Sequence, residues 1–154
     1  MTTPHQRLAE LGLALPDVVP PVAVYVPAVQ TGNHVYVSGQ VPIANGELLA
    51  TGKVGAEVSP ERAKELARQC ALNILAAVDS LVGLERVVKV VKLTGFVASA
   101  PGFAGQPGVV NGASELFGEV FGEAGRHARS AVGVAELPLN APVEVEAIIE
   151  VATP

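Results

Sequence analysis

Apolar residues recur along this chain in two rhythms, three- and four-residue steps in some stretches and strict alternation in others. The first marks one face of a helix, the second one face of a strand. Ala63, Leu66, Ala67, Cys70, Ala71, Ile74, Leu75, Val78 and Leu81 form a single helical stripe that ends near Gly83. Its start is set by Ser59-Pro60-Glu61, a hydroxyl cap, a proline at the first position and an acid facing the positive end of the helix dipole. Val109, Ala113, Phe117, Val120 and Phe121 predict a second amphipathic helix over residues 107–122. Near the N-terminus, Thr3 as cap and Pro4 in the first turn predict a short helix reaching about residue 13. Pro16, Pro20 and Pro21 then forbid regular structure and imply an extended arm.

Strand patterns fill the remainder. Residues 23–30 and 34–38 flank Thr31-Gly32-Asn33, whose Gly and Asn tolerate a tight turn, so they read as a hairpin. Asn45-Gly46 predicts a second turn after Val41-Pro42-Ile43. Residues 86–99 are rich in Val and apolar on both faces, as in a central strand. Residues 130–135 and 143–151 are expected to close the chain as paired strands, joined by 136–142. In the last of these, Val143, Val145, Ala147, Ile149 and Val151 point one way, and Glu144, Glu146, Ile148 and Glu150 the other. The order predicts an α+β fold, one sheet with helices on one face. We expect residues 1–19 to form a helix and arm, and residues 20–154 the α+β domain. Too few residues remain to cover the other sheet face, which implies a partner subunit.

Composition sharpens this picture. The 154 residues are 49% apolar but only 16% charged, below the roughly 25% usual for a soluble domain, so part of the exterior is expected to lie against another subunit. With a net charge of −5 and no basic cluster the chain can neutralise few phosphates, which argues against nucleic-acid binding. A single cysteine, Cys70, excludes an internal disulfide framework. No apolar run approaches the roughly 18 residues of a membrane span, and the first residues carry neither a cationic leader nor an apolar signal core. A reducing cytoplasm fits these features.

Candidate chemistry concentrates near the C-terminus. Arg129, Ala131, Gly133 and Ala135 share one strand face, so small residues leave a slot beside a guanidinium. A planar guanidinium binds a carboxylate bidentately, which makes Arg129 a candidate anchor for a small acid. Glu144 faces the same slot, as a base for water, only if the strand register brings it there. The alternative is an Arg129 that merely pairs with Glu144 or Glu146 on an exposed sheet face. Other residues carry less. His5, His34 and His127 are scattered without ligand spacing, and we expect no metal site. Cys70 reads as a small, inert core residue. Gly32, Gly39 and Gly46 lead into no helix and form no phosphate loop. Ser38 has no nearby His or elbow motif, and Asp79 and Glu85 read as solvated charges at helix ends.

Three separated motifs then carry a family resemblance. Arg129-Ser130-Ala131-Val132-Gly133-Val134-Ala135-Glu136-Leu137-Pro138, leading to Val143-Glu144-Val145-Glu146-Ala147, resembles the closing motif of the Rid family of reactive-intermediate (imine) deaminases. Tyr25, Gly32-Asn33 and Ser38-Gly39-Gln40-Val41-Pro42 are similar to that family's early hairpin, and Asn111 before Leu116-Phe117 to the start of its second helix. The resemblance spans roughly residues 20–151, with the N-terminal helix outside the usual core. It implies a chorismate-mutase-like fold, a homotrimer with sites in the clefts between subunits, and cofactor-free deamination of 2-aminoacrylate and related imines to 2-oxo acids and ammonia. It also implies roles: Arg129 clamps the substrate carboxylate, Glu144 holds and activates water, and Tyr25, Ser38, the Gly39 backbone and Asn111 line the pocket. Ala131 stands where many active members carry Cys, which alters pocket shape and polarity and marks a divergent branch. Two further functions compete with the enzyme: a binding protein that senses a small carboxylate or ketoacid without turnover, and the ribonuclease or translation-inhibitor activity ascribed to some relatives. The acidic charge and the lack of aromatic-plus-basic stripes oppose the last.

Overall fold

The computed structural model describes residues 2–18 and 24–153; Pro20, Pro21 and residue 23 therefore lie outside the described residues. Helix α1 spans Pro4–Glu10, with Thr3 and Gln6 forming a reciprocal capping box. It ends before residue 13 because the chain turns at Leu11 and enters positive φ at Gly12. Strand β1 (Ala28–Thr31) starts later than the pattern implied, since Pro27 has no N–H to give a ladder. Its carbonyl instead accepts from the Ser38 backbone and hydroxyl. Strand β2 (His34–Gln40) follows a two-residue turn whose positive φ falls at Gly32. The ribbon β3 (Ile43–Ala44) and β4 (Glu47–Leu48) is closed by Asn45-Gly46, both at positive φ.

Helix α2 (Pro60–Leu81) begins where Ser59 caps the Arg62 N–H and buries the expected stripe, except Leu81, which at the last turn is 45% exposed. A 3-10 turn (Leu84–Arg86) leads into β5 (Val87–Ala98), followed by α3 (Gln106–Phe121), a second 3-10 turn (Gly122–Gly125), β6 (Ala128–Val134), the turn Pro138–Asn140, and β7 (Val143–Val151).

The main sheet has five strands in the order β1-β2-β7-β5-β6. Strands β6 and β7 are thus not paired, contrary to expectation. The helix between β5 and β6 returns the chain in the same direction, so β6 lies parallel to β5 at the edge, and β7 fills the gap between β5 and β2. The result is one mixed sheet. Its helix-side face (Val35, Val37, Val90, Leu93, Val97 and alternate residues of β7 from Val143) is buried with α2 and α3 into a single core, to which α1 adds Leu8. Gly112 lets α3 lie against the Lys64 backbone of α2, where any Cβ would collide. On the opposite face Val29, Tyr36 and Val132 are more than two-fifths exposed, leaving that side of the protomer uncovered. Among the described residues no helix is long and apolar enough to cross a membrane.

Candidate functional site

Strand register decides where the candidate residues go. Arg129 pairs with Leu93, a fully buried residue of the helix-side face, whereas Glu144 pairs with Phe96, one step out of phase. Arg129 and Glu144 therefore project from opposite faces of the sheet, with β5 between their strands. Glu144 does not share the slot of Arg129 within one chain.

The first group forms around Glu144. Between Val37 and Gln40 strand β2 carries one residue more than β7 opposes, a β-bulge at Ser38 and Gly39. The Glu144 carboxylate lies over Gly39, on ground that a Cβ there would occupy. Together Tyr25, Pro27, Ser38, Gly39, Gln40, Val41, Ile43, Pro138, Leu139 and Glu144 line a cavity of about 330 Å³. Asn73 of α2, itself buried, donates to the carbonyls of Val41 and Ile43 at 3.1 and 3.0 Å and so fixes the loop that forms one wall. At the mouth, Leu139 and Asn140 both hold positive φ, uncommon for residues with a side chain, and Leu139 is 68% exposed. Burial raises the Glu144 pKa above the ordinary carboxylate value, and the charge of Glu146 adds to the rise. A carboxylate so tuned is a better proton acceptor near neutral pH than a solvated glutamate.

The second group forms around Arg129. Its Nη1 donates to Asn111 Oδ1 at 2.8 Å and Ser114 Oγ at 3.2 Å. Both Nη1 hydrogens are thereby engaged, while Nε and Nη2 have no protein acceptor among the described residues. Those two groups present parallel N–H bonds along one edge, the geometry that accepts a carboxylate side-on. Among the described residues Arg129 forms no ion pair, so the alternative of a pairing with Glu144 or Glu146 is not realised. Beyond the guanidinium, Ala131 packs partly into the core and Gly133 lies beside the Gln106 amide and the Ser99 hydroxyl, which are hydrogen-bonded at 3.1 Å. Ala135 falls past the end of β6.

Two further residues, Ser114 and His127, join this group. Ser114 is three residues after Asn111, one helical turn along the same face of α3. His127, far from isolated, places Nε2 2.9 Å from Ser114 Oγ and Nδ1 2.6 Å from the Gly125 carbonyl. The i,i+3 spacing of Asn111 and Ser114 was open to a sequence reading; the contact with His127 was not.

Elsewhere, His5 is also partnered. Its Nε2 sits 2.9 Å from Asp79 Oδ1, which also accepts from the Leu84 backbone at 3.0 Å, and its Nδ1 lies 3.9 Å from Glu85. Asp79 is thus a structural acceptor that ties α1 to the end of α2, not a free surface charge. The three side chains lie close enough to offer ligands to one cation, but existing bonds already account for the Asp79 oxygen that faces His5. Cys70 is fully buried against the Val143 carbonyl, and burial, with the charge of Glu144, pushes its thiol well above the ordinary value, as an inert core residue requires.

Comparison with known proteins identifies the family. A family model described as Endoribonuclease L-PSP matches residues 8–151. Protein TCP17 of Trypanosoma cruzi is 45% identical over 94% of this chain and 91% of its own length. The 2-iminobutanoate/2-iminopropanoate deaminase of Escherichia coli K12 is 39% identical over 80% of this chain and 84% of its own. The crystal structure of a protein of unknown function from Agrobacterium tumefaciens superposes with a TM-score of 0.90 at 47% identity, covering 98% of this chain and 93% of that one. The chain belongs to the Endoribonuclease L-PSP family, which includes the Rid (YjgF/RidA) imine deaminases.

Proposed function

We propose that this protein hydrolyses small enamine or imine acids, of the 2-aminoacrylate kind, to 2-oxo acids and ammonia, without a cofactor, in clefts between the subunits of a homotrimer with the chorismate-mutase-like arrangement. The observation that carries this reading is the division of the site. An open guanidinium edge and a carboxylate of raised basicity, the two groups the reaction needs, stand on opposite faces of one protomer. A neighbouring subunit docked on the uncovered sheet face brings the Arg129 half of one chain to the Glu144 half of the next. The deaminases among the relatives support the reaction class.

In this mechanism Arg129 grips the substrate carboxylate side-on, with Asn111 holding the guanidinium. This fixes the plane of the conjugated C=N bond. Glu144, over the Gly39 backbone and beside Ser38 and Tyr25, takes a proton from a water molecule as its oxygen adds to the imine carbon. That proton is passed to nitrogen to give the carbinolamine. Glu144 then relays the hydroxyl proton to the amine, and ammonia leaves as the C=O bond forms. An enamine substrate first tautomerises to its imine. The balance is one imine and one water to one 2-oxo acid and one ammonia. The cavity walls of Tyr25, Val41, Ile43 and Leu139 receive the apolar tail, and Ala131 leaves room where the family resemblance implies a thiol.

The test generates imines in situ from several amino acids with an amino-acid oxidase and follows semicarbazide trapping. Slower semicarbazone formation in the presence of the protein supports the proposal; trapping unchanged by saturating protein refutes it. Light scattering should return three times the chain mass, and a monomer would remove the shared cleft. The ribonuclease implied by the family's description is disfavoured by the net charge of −5, and we expect no salt-dependent micromolar affinity for RNA.

A further inference from the structure

We propose that Ser114 and His127 are positioning residues, a hydrogen-bonded brace that fixes the direction in which the Arg129 guanidinium faces its ligand. This inference rests on the carboxylate-anchor reading and adds to it two residues that never touch substrate.

The argument follows the protons. The Gly125 carbonyl can only accept, so the 2.6 Å contact requires a hydrogen on His127 Nδ1. In the neutral ring Nε2 is then bare, and the 2.9 Å contact requires the Ser114 hydroxyl to donate to it. With its hydrogen committed, Ser114 Oγ turns its lone pairs toward Arg129 Nη1, from which it accepts at 3.2 Å. Every donor in the series meets an acceptor, and the direction is set from the Gly125 backbone outward. An unbraced serine hydroxyl is free to turn its hydrogen toward the guanidinium, where donor would meet donor.

The support is itself held. Gly125 is buried where a Cβ would strike the Phe117 backbone, so the Gly122–Gly125 turn cannot drift from α3. The Phe117 ring meets the imidazole edge-on at 6.1 Å and 80°, which fixes the ring plane. Asn111 occupies the second hydrogen of Nη1 at 2.8 Å. Two acceptors one helical turn apart leave the guanidinium a single orientation, with the Nε and Nη2 edge outward. Without Ser114, Arg129 keeps its charge but rotates about the Asn111 bond, and a bidentate ligand must then order it on binding.

The experiment measures 2-oxobutanoate binding by calorimetry in the wild type, Ser114→Ala, Arg129→Ala and the double variant, alongside His127→Asn and His127→Gln. Asparagine reaches the Gly125 carbonyl but not Ser114; glutamine reaches Ser114. Binding should weaken about tenfold in Ser114→Ala and His127→Asn and return to within about threefold of wild type in His127→Gln. In the Arg129→Ala background the serine change should cost less than about twofold, because a residue acting through Arg129 has nothing left to act on. Side-chain nitrogen spectra should show separate, slowly exchanging Arg129 Nη signals in the wild type and averaged ones in Ser114→Ala. Equal serine costs with and without Arg129, or an unchanged Arg129 spectrum, overturn the proposal. If the wild type binds no 2-oxo acid, the anchor reading falls alone, and the Arg129 spectra still decide whether the brace orders the guanidinium.

Discussion

Gly39→Ala separates chemistry from folding at one atom. A methyl group on Gly39 would collide with Glu144 Oε1 and lie 2.7 Å from its Cδ, where ordinary contacts begin at 3.4 Å, so the carboxyl must withdraw by at least about 0.7 Å and its Oε1 by about 1 Å. The obstacle is the end of a flexible side chain, not backbone. Gly39 does not hold a positive φ either, so alanine suffers no conformational strain. Losing a glycine also narrows the unfolded ensemble, a gain of about 0.4–1 kcal/mol that offsets the side-chain shift. We therefore expect a melting temperature within about 4 °C of wild type, the change that roughly 1 kcal/mol produces in a domain of this size. Catalysis is less forgiving. Misplacing a reacting group by about 1 Å costs on the order of a hundredfold, so this withdrawal should lower kcat between about ten- and a hundredfold. Binding of a 2-oxo acid through Arg129 should change little. The assay pairs semicarbazide trapping with a thermal melt. A variant that melts normally and turns over at the wild-type rate would refute the placement of Glu144 as base; one that unfolds would show that the Gly39 contact is a packing requirement.

Other outcomes follow from the same geometry. Arg129→Ala should lose on the order of 3 kcal/mol of transition-state stabilisation, about two decades in kcat/KM, while Arg129→Lys keeps the charge without the fork and recovers part of the binding but little turnover. Glu144→Gln should lower turnover with less effect on 2-oxo acid binding. Its stability carries a sign: because folding raises the Glu144 pKa, the ionised form disfavours the fold, and that penalty appears as pH rises through the folded value. Denaturant melts should thus find Glu144→Gln at least as stable as wild type at pH 7, with the advantage gone below the ordinary glutamate range; a variant clearly less stable at pH 7 would contradict this. Ala131→Cys should fold within about 1 kcal/mol of wild type and keep or broaden imine turnover, as a titration and the trapping assay would show; misfolding would mean that the half-buried Ala131 is fully committed to the core.

Local signals were legible in the sequence, and pairings across distance were not. Gly32-Asn33, Asn45-Gly46 and the Ser59-Pro60 cap each act through their own backbone, and each sits where the pattern implied. The position of β6 depends on a contact with β5 made through an intervening helix, which no alternation within either strand encodes. That one topological choice separates Arg129 from Glu144. Pro27 shortened β1 through a missing donor that the apolar run concealed. The motifs located Arg129, Asn111, Ser38, Gly39 and Glu144, and the structure sorts them into two groups. Ser114 and His127 escaped notice because a serine in a helix and a lone histidine have ordinary explanations until their 2.9 Å contact is seen.

The bulge at Ser38 and Gly39 also has a consequence for how sequences of this kind can diverge. Up to Val37 the buried positions of β2 fall on odd numbers; after the bulge burial resumes at Gln40. Removing one residue between them would restore strict alternation and let β2 run against β7 without interruption. Such a shortened chain keeps every core contact of the strand and loses the ledge on which the carboxylate rests. Silencing a lineage in this way would leave its mark as a gap of one position, with every motif residue on either side of it intact.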